Sequence, residues 1–507
     1  MSVSDNKART GAALGIVSLA ILAWVTWHKH FNLGTGVITD PFHKGEHYAA
    51  LATLFGETTN FIPITIHGGL DFIPGWLALL FFGHGHYFFP TEFAFSLLNS
   101  ASALLLFSIV FYLTRDWNKS RYFILPVAAA LSPLLVGYRE PFLLSALFLY
   151  FILHDKPYGS RRLLLEAALG GVLAINLLWS FDRGIAGVLA IGAAGLISAY
   201  SRKRHILTIV VFLLLFAGIS MASPVFSPGH LFDNVRFLTQ TSSQWSYPMQ
   251  GEVLFNSSLV FLLCLTSLYA LVTTLPRPIR LGEVMALHVM LGILIVLFTK
   301  IATNRADVNH LVMGLWIPAI AYLAIQNDNP TAVRKQIYFV FNSLLVAVIA
   351  YSFFVPHYQK FTQDIKDANA ISSRDHWLHK SHASLSDTEM SLPGIRWVVD
   401  ELRQAQATCI FDLSNHGIIN GLSQLPTCSR FSYLVYATPR FETEILTTLQ
   451  QKNPPVIIYS TEHWSYQIDG NSMKERLPRL DRYIKENYPT EKCNLGYCLR
   501  FLPRNSN

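Results

Sequence analysis

The sequence predicts a polytopic α-helical membrane protein of about eleven transmembrane helices with a small C-terminal α/β domain. Three observations predict the class. Of 507 residues, 51% are hydrophobic and only 14% are charged, and a soluble chain of this length could not cover so much apolar surface. The apolar residues gather into runs separated by short polar segments, and the mean hydropathy is +0.34. The runs end near residue 355, after which the composition turns soluble. The net charge of +7 calls for no nucleic acid, because most Lys and Arg flank apolar runs, as the positive-inside rule requires.

The first run, Gly11 to Trp27, follows Lys7 and Arg9 and is succeeded by His28-Lys29-His30 in place of a small-residue cleavage site. It therefore reads as an uncleaved first span. Residues 28–90 hold no clean run of about 20 apolar residues; the semi-apolar piece Phe72 to Phe82 reads as an interfacial or re-entrant helix. Further spans are expected over 93–113, 123–136, 142–153, 163–179, 185–200, 206–221, 254–274, 284–298, 311–325 and 337–354. Those at 123–136 and 142–153 are short and need packing partners or a thinned bilayer. This divides the chain into a transmembrane domain, 1–355, with a long first outer loop, 28–90, and a soluble domain, 356–507. In the latter, helices are expected over 393–406, 441–450 and 472–487 and strands over 408–413 and 456–459, an alternation that suggests some parallel pairing.

Basic clusters at Arg115/Lys119/Arg121, Lys156/Arg161/Arg162, Arg202/Lys203/Arg204, Arg277/Arg280 and Arg334/Lys335 then fall on one side. That side is the cytoplasm, with the N-terminus, and the C-terminal domain lies outside the bacterial inner membrane. Cysteine usage agrees. Cys264 sits in an apolar run, whereas Cys409, Cys428, Cys493 and Cys498 are confined to the soluble part, an even number suited to an oxidising compartment. The turn-like spacing of Cys493 and Cys498 is compatible with a hairpin bridge and leaves Cys409 for Cys428; four free thiols are the alternative.

The clusters at the outer ends of spans differ in kind from the inner Lys/Arg runs. Asp40, His43, Glu46 and His47 crowd into eight residues after the first span, and His67/Asp71, Arg139/Glu140, Asp182/Arg183 and Lys300/Arg305/Asp307/His310 follow. Ionisable groups at such positions are costly unless they pair or face a wet cavity, and they are functional candidates by default. Carboxylates together with cations suit transfer of a sugar from a lipid phosphate: a base takes the acceptor proton, and Arg forks match the departing phosphate. Asp40 is the preferred base and Glu46 the second. Arg139, Arg183, Arg305, Lys300 and His310, with His43 and His47, are expected to contact donor phosphate or substrate. Each has a plain structural reading too. Asp40-Pro41 fits an N-cap and first helical residue, Arg183 pairs naturally with Asp182 and Arg305 with Asp307, and Trp245 and Tyr247 suit interfacial anchoring as well as sugar stacking. His43 and His47, at i and i+4, lack a third metal ligand, so no metal ligands are assigned.

In this order of parts, a first span, a long outer loop with an acidic residue, many further spans and a soluble outer C-terminal domain, the chain resembles the GT-C superfamily of integral-membrane glycosyltransferases. That superfamily includes protein mannosyltransferases, mycobacterial arabinosyltransferases and the aminoarabinose transferase of lipid A. The resemblance implies an inverting transferase with a polyprenyl-phosphate-linked sugar donor and a glycan or glycolipid acceptor, and places the base at Asp40. Many members carry adjacent carboxylates in this loop. Here Asp40 and Glu46 are six residues apart, so a divalent cation is compatible with the pattern but not required by it. Two rival readings use the same architecture: a lipid-linked sugar flippase or other transporter, and an O-antigen polymerase or ligase. Transporters tend to carry midplane charges and repeats, and neither is evident.

Overall fold

The computed structural model describes residues 3–31, 45–55, 62–65, 67–115, 121–155, 159–202, 205–222, 224–242, 251–275, 282–305, 314–328, 382–414, 416–432, 434, 439–460, 467–468 and 471–503. Two compact units emerge, each discontinuous in sequence: Met1–Asn32 with Phe95–Ile219 and Tyr247–Ser372, and Leu33–Ala94 with Ser220–Ser246 and Ser373–Asn507. Both long loops, the one after the first helix and the one after residue 222, group with the C-terminal segment.

The first unit is helical. The apolar runs appear as α1 (Val3–Thr26), which continues into a π-helical turn at Trp27–Phe31. In the second unit follow α2 (Gly45–Phe55) and α3 (Ile73–Phe82). Then come α4 (Phe88–Leu113), α5 (Arg121–Leu135), α6 (Pro141–Asp155), α7 (Ser160–Trp179), α8 (Phe181–Arg202) and α9 (Ile206–Ala222). After α10 (Pro228–Ser242) of the second unit, α11 (Gly251–Thr274), α12 (Glu283–Arg305) and α13 (Trp316–Asp328) return to the first. Among the described residues, five helices are long and apolar enough to cross a membrane: Phe88–Leu113, Ser160–Trp179, Phe181–Tyr200, Ser257–Thr274 and Glu283–Thr303. The expected span at 337–354 lies outside the described residues.

Packing within this unit buries one face of each helix. Leu143, Leu147, Leu173, Ala190, Leu291, Leu294 and Trp316 share one core, while Leu164, Leu196, Leu214 and Val272 stay exposed on the outward faces. Apolar residues on both faces are the mark of helices in lipid, not in water. This is a multi-pass membrane protein. Close approach has a sequence cause: a Cβ on Gly170 of α7 would lie 2.5 Å from the Thr208 carbonyl oxygen of α9, so no larger residue fits.

The second unit carries the sheets. It adds α14 (Leu385–Met390), α15 (Pro393–Gln404), β1 (Phe411–Asp412), α16 (Ile418–Ser423), α17 (Glu442–Lys452), β2 (Val456–Ser460), β3 (Gln467–Ile468) and β4 (Asn471–Ser472). The chain closes with α18 (Met473–Arg476), α19 (Pro478–Asn487), β5 (Thr490–Asn494) and β6 (Tyr497–Phe501). The main sheet runs β1-β2-β6-β5, with β1 and β2 parallel and the other pairs antiparallel. The helix expected over 472–487 is broken at Leu477, which precedes Pro478 and is therefore kept out of the helical region. The spacing of Cys493 and Cys498 was compatible with a hairpin bridge, and the antiparallel pair β5–β6 places the two opposite each other. Cys493 is bonded to Cys498, and Cys409 to Cys428, as the spacing suggested.

Candidate functional site

Helix α2 opens at Gly45, so Glu46 and His47 stand in its first turn, where a carboxylate is favoured by the helix dipole. Both are buried. Glu46 Oε2 lies 2.5 Å from His67 Nδ1 and accepts the His67 backbone N–H at 3.3 Å. Asp71 completes the group: one ligand atom from each of Glu46, His67 and Asp71 lies within 4.8 Å of the others. Glu46 and Asp71 are 1% and 4% exposed, and the His67 side chain 17%. The sequence showed these residues as two separate clusters. The fold makes them one.

Each ligand-bearing segment is tied down. Ile64 forms a parallel bridge with Phe431, its N–H donating to Arg430 O at 2.6 Å while Ser432 N–H donates to Ile64 O at 3.2 Å. Thr65 N–H donates to Asn234 Oδ1 of α10 at 2.8 Å, and Thr65 Oγ1 to Gly68 O at 2.9 Å, which turns the chain at His67. The Ile73 N–H donates to Leu70 O at 3.0 Å, a turn that presents Asp71 just before α3.

Helix α2 rests on C-terminal residues. A Cβ on Gly417, just before α16, would lie 2.2 Å from Gly45 O, so two glycines allow the backbones to touch. At the other end Thr427 N–H donates to Thr53 Oγ1 at 3.1 Å, next to the Cys409–Cys428 disulfide. Tyr48 Oη donates to Glu92 Oε1 at 3.2 Å, and Tyr87 Oη to Gly421 O at 3.1 Å. Burial, and then the Glu92 carboxylate, hold the Tyr48 phenol well above its usual range, so it stays a donor. Neither Tyr48 nor Glu92 was singled out in the sequence, although Glu92 is the sole charged residue of α4. Helices α2, α3 and α16 also line a half-open cavity of about 50 Å³ with Leu51, Phe55, Leu79, His84, Tyr87 and Asn420.

In the first unit Arg139, Glu140, Asp182 and Arg183 form a single network. Arg183 Nε donates to Glu140 Oε1 at 2.8 Å, and its Nη1 pairs with Asp182. Arg139 Nη2 donates to Asp182 Oδ1 at 2.9 Å, as does Ser180 Oγ. Arg183 is 1% exposed and Arg139 20%. The Arg139 Nε is buried without a hydrogen-bond partner among the described residues. Lys300 is exposed on α12, and Arg305 is that helix's last residue. Asp40, His43 and His310 lie outside the described residues, as do Trp245, Tyr247 and Asp307. His47 is not in the carboxylate–imidazole group; its ring lies tilted on Tyr48, centroids 4.2 Å apart. A second cluster, Glu491/Cys493/Cys498, is no ligand set, because both sulfurs are spent in the disulfide.

No protein-family model and no curated protein matches the sequence. Among solved structures the chain is similar to ArnT from Cupriavidus metallidurans in the apo state, with TM-score 0.48 and 14% identity over 97% of this chain and 98% of that one. It is similar to the same protein bound to undecaprenyl phosphate, with TM-score 0.45 and 13% identity over 96% of this chain and 98% of that one. A third likeness is to the oligosaccharyltransferase of Archaeoglobus fulgidus in complex with zinc and sulfate, with TM-score 0.46 and 13% identity over 88% of this chain and 68% of that one. At TM-scores below 0.5 these likenesses decide neither activity nor substrate.

Proposed function

We propose that the protein is a GT-C-type glycosyltransferase that moves a sugar, with inversion, from a polyprenyl-phosphate carrier to a glycan or glycolipid of the bacterial cell envelope. The observation that carries this reading is the buried Glu46–His67–Asp71 group. The loop after α1 builds a shielded acid–imidazole site beginning six residues beyond Asp40, where a solvated loop would expose such groups. In the reaction the acceptor oxygen bonds to the anomeric carbon, the bond from that carbon to the phosphate oxygen breaks, and the phosphate leaves with the electron pair. Asp40 takes the acceptor proton, since Glu46 is committed to His67; Glu46 is the reserve base.

Arg139, the more open arginine of its network, takes a donor-phosphate oxygen, with Lys300, Arg305 and His310 as further contacts and His43 near the substrate. Arg183, enclosed by Glu140 and Asp182, acts on the phosphate through the position of Arg139. His47 stays with Tyr48. The small cavity beside α2, where Phe55, Tyr87, His84 and Asn420 meet Leu51 and Leu79, receives an edge of the acceptor. In this topology the N-terminus is cytoplasmic and the disulfide-bonded segment faces the periplasm or exterior.

Purified protein in detergent, supplied with polyprenyl-phosphate sugars and envelope acceptors and read by mass spectrometry, tests the reading. Asp40→Asn should lower transfer by roughly 10²- to 10⁴-fold with insertion and monodispersity unchanged. Substantial residual transfer moves the base to Glu46 or ends the mechanism. Translocation of intact lipid-linked sugar without transfer would favour the flippase reading.

A further inference from the structure

We propose that the Cys409–Cys428 disulfide is a positioning clasp: it holds the loop that seats α2 and the adjoining segment that seats the His67 strand, so the Glu46–His67–Asp71 group takes its geometry only in the oxidised protein. The two cysteines lie 19 residues apart, and the loop they close touches α2 at three places. Gly417 abuts Gly45, a Cβ on Gly421 would lie 3.2 Å from the Tyr48 Cβ, and Thr427 N–H donates to Thr53 Oγ1 at 3.1 Å. Just beyond Cys428, Arg430 O accepts the Ile64 N–H at 2.6 Å and Ser432 N–H donates to Ile64 O at 3.2 Å. Both segments that carry the carboxylate–imidazole group therefore rest on residues flanking one covalent bond.

The loop has little else to hold it. Helix α16 has six residues, too few to be stable alone. The loop ends meet in a single parallel bridge, where Ile410 N–H donates to Pro426 O at 2.8 Å and Cys428 N–H to Ile410 O at 2.9 Å. Ile418, Ile419 and Leu422 are buried with Tyr48 and Leu51, but apolar burial is non-directional and does not by itself fix a backbone contact as close as Gly417 on Gly45. Covalent closure removes the remaining freedom of the loop. The Cys493–Cys498 bond differs: it joins facing residues of β5 and β6, whose register five residue pairs and the ladder to β2 already set.

Cys409 and Cys428 are 7% and 0% exposed. Thiol–disulfide exchange needs access to sulfur, so the bond forms before α16 closes on α2. In that step the two thiols pass two electrons and two protons to an external protein disulfide, which leaves as a dithiol. Oxidation thus precedes seating.

Hydrogen-exchange mass spectrometry on the full-length protein in detergent tests the clasp without substrate. In C409S/C428S, residues 45–55 should exchange at least about tenfold faster than in wild type, with 456–460 unchanged; C493S/C498S should alter neither. Wild type reduced with TCEP and re-oxidised with oxidised glutathione makes the same comparison without a substitution: fast α2 exchange should appear as the bond opens, counted by thiol alkylation, and reverse as it closes. A second readout rests on the transferase reading: C409S/C428S should lose about 10²-fold in kcat and keep the wild-type KM for the donor, whose arginines belong to the first unit. Unchanged α2 exchange with the bond open overturns the proposal. Protection lost evenly from α2 and the sheet, or an equal effect of C493S/C498S, does so too, because either makes the bond a general stabiliser. A wild type without transfer leaves the exchange result standing and counts only against the transferase reading.

Discussion

Replacing Gly417 by Ala probes how C-terminal residues set the geometry of the loop after α1. The added Cβ would lie 2.2 Å from Gly45 O, 2.6 Å from Gly45 C and 3.1 Å from the Ala49 Cβ. Since Cβ contacts under 3.0 Å are essentially never seen, the first turn of α2 must retreat by about 0.8 Å to reach even that limit. Glu46 is the next residue and moves with it, so its 2.5 Å approach to His67 stretches toward about 3.3 Å, the weak end of hydrogen bonding. Overpacking of this kind costs about 1–3 kcal/mol, whereas a displacement near 1 Å at a reacting site can cost about 10² in rate. G417A should therefore lose roughly a hundredfold in kcat/KM for sugar transfer with a melting temperature only a few degrees lower. The control is Gly229→Ala, where a Cβ meets nothing within 4 Å. Wild-type turnover in G417A would refute the idea that this glycine contact positions Glu46; a rate loss that merely tracks unfolding would refute it equally.

Two further outcomes follow from named groups. Arg183→Ala leaves Glu140 and Asp182 without their shared guanidinium and should cost about 3–5 kcal/mol, seen as a lowered melting temperature in detergent; Arg139→Ala should spare the melt and raise KM for the lipid-phosphate donor. The reverse pattern would contradict the roles assigned to the two arginines. Asp412 accepts hydrogen bonds from Ser414 N–H at 2.6 Å and His416 N–H at 3.1 Å, yet burial pushes its carboxyl up to about 6 from the ordinary 3.8. Folding thus favours the protonated acid, so its stabilisation is complete below about pH 4 and lost as the pH rises to about 6. Between pH 4 and 7 the wild type should lose up to roughly 3 kcal/mol relative to D412N, and a melting difference that does not vary with pH would exclude this.

Much of the fold was legible because lipid imposes a simple rule on sequence. Apolar runs at 93–113, 163–179, 185–200, 254–274 and 284–298 became α4, α7, α8, α11 and α12 with shifted ends. Helix α10 was read as loop, because its 15 residues mix polar and apolar types and carry no long run. The second unit could not be read at all as a unit. Its joints, Tyr87 with Gly421 and Thr53 with Thr427, link residues 334 and 374 positions apart, and no local pattern encodes such pairing. The site was half legible for the same reason. Charge density marked Glu46 and His47, and a separate motif marked His67 and Asp71, but only folding showed that Glu46 joins the second pair while His47 turns to Tyr48. Tyr48 left no signal, being one aromatic among many.

The discontinuity of the second unit also imposes an order in time. Residues 33–94 are made early, but the partners that seat α2, Gly417, Gly421 and Thr427, are made more than 300 residues later. At about 5–20 residues per second, the loop after α1 waits on the order of 15 to 80 seconds for its support. The carboxylate–imidazole group therefore matures at the end of biosynthesis. A chain released early, or one whose last 130 or so residues were clipped, would keep its apolar helices and lack the contacts that seat α2.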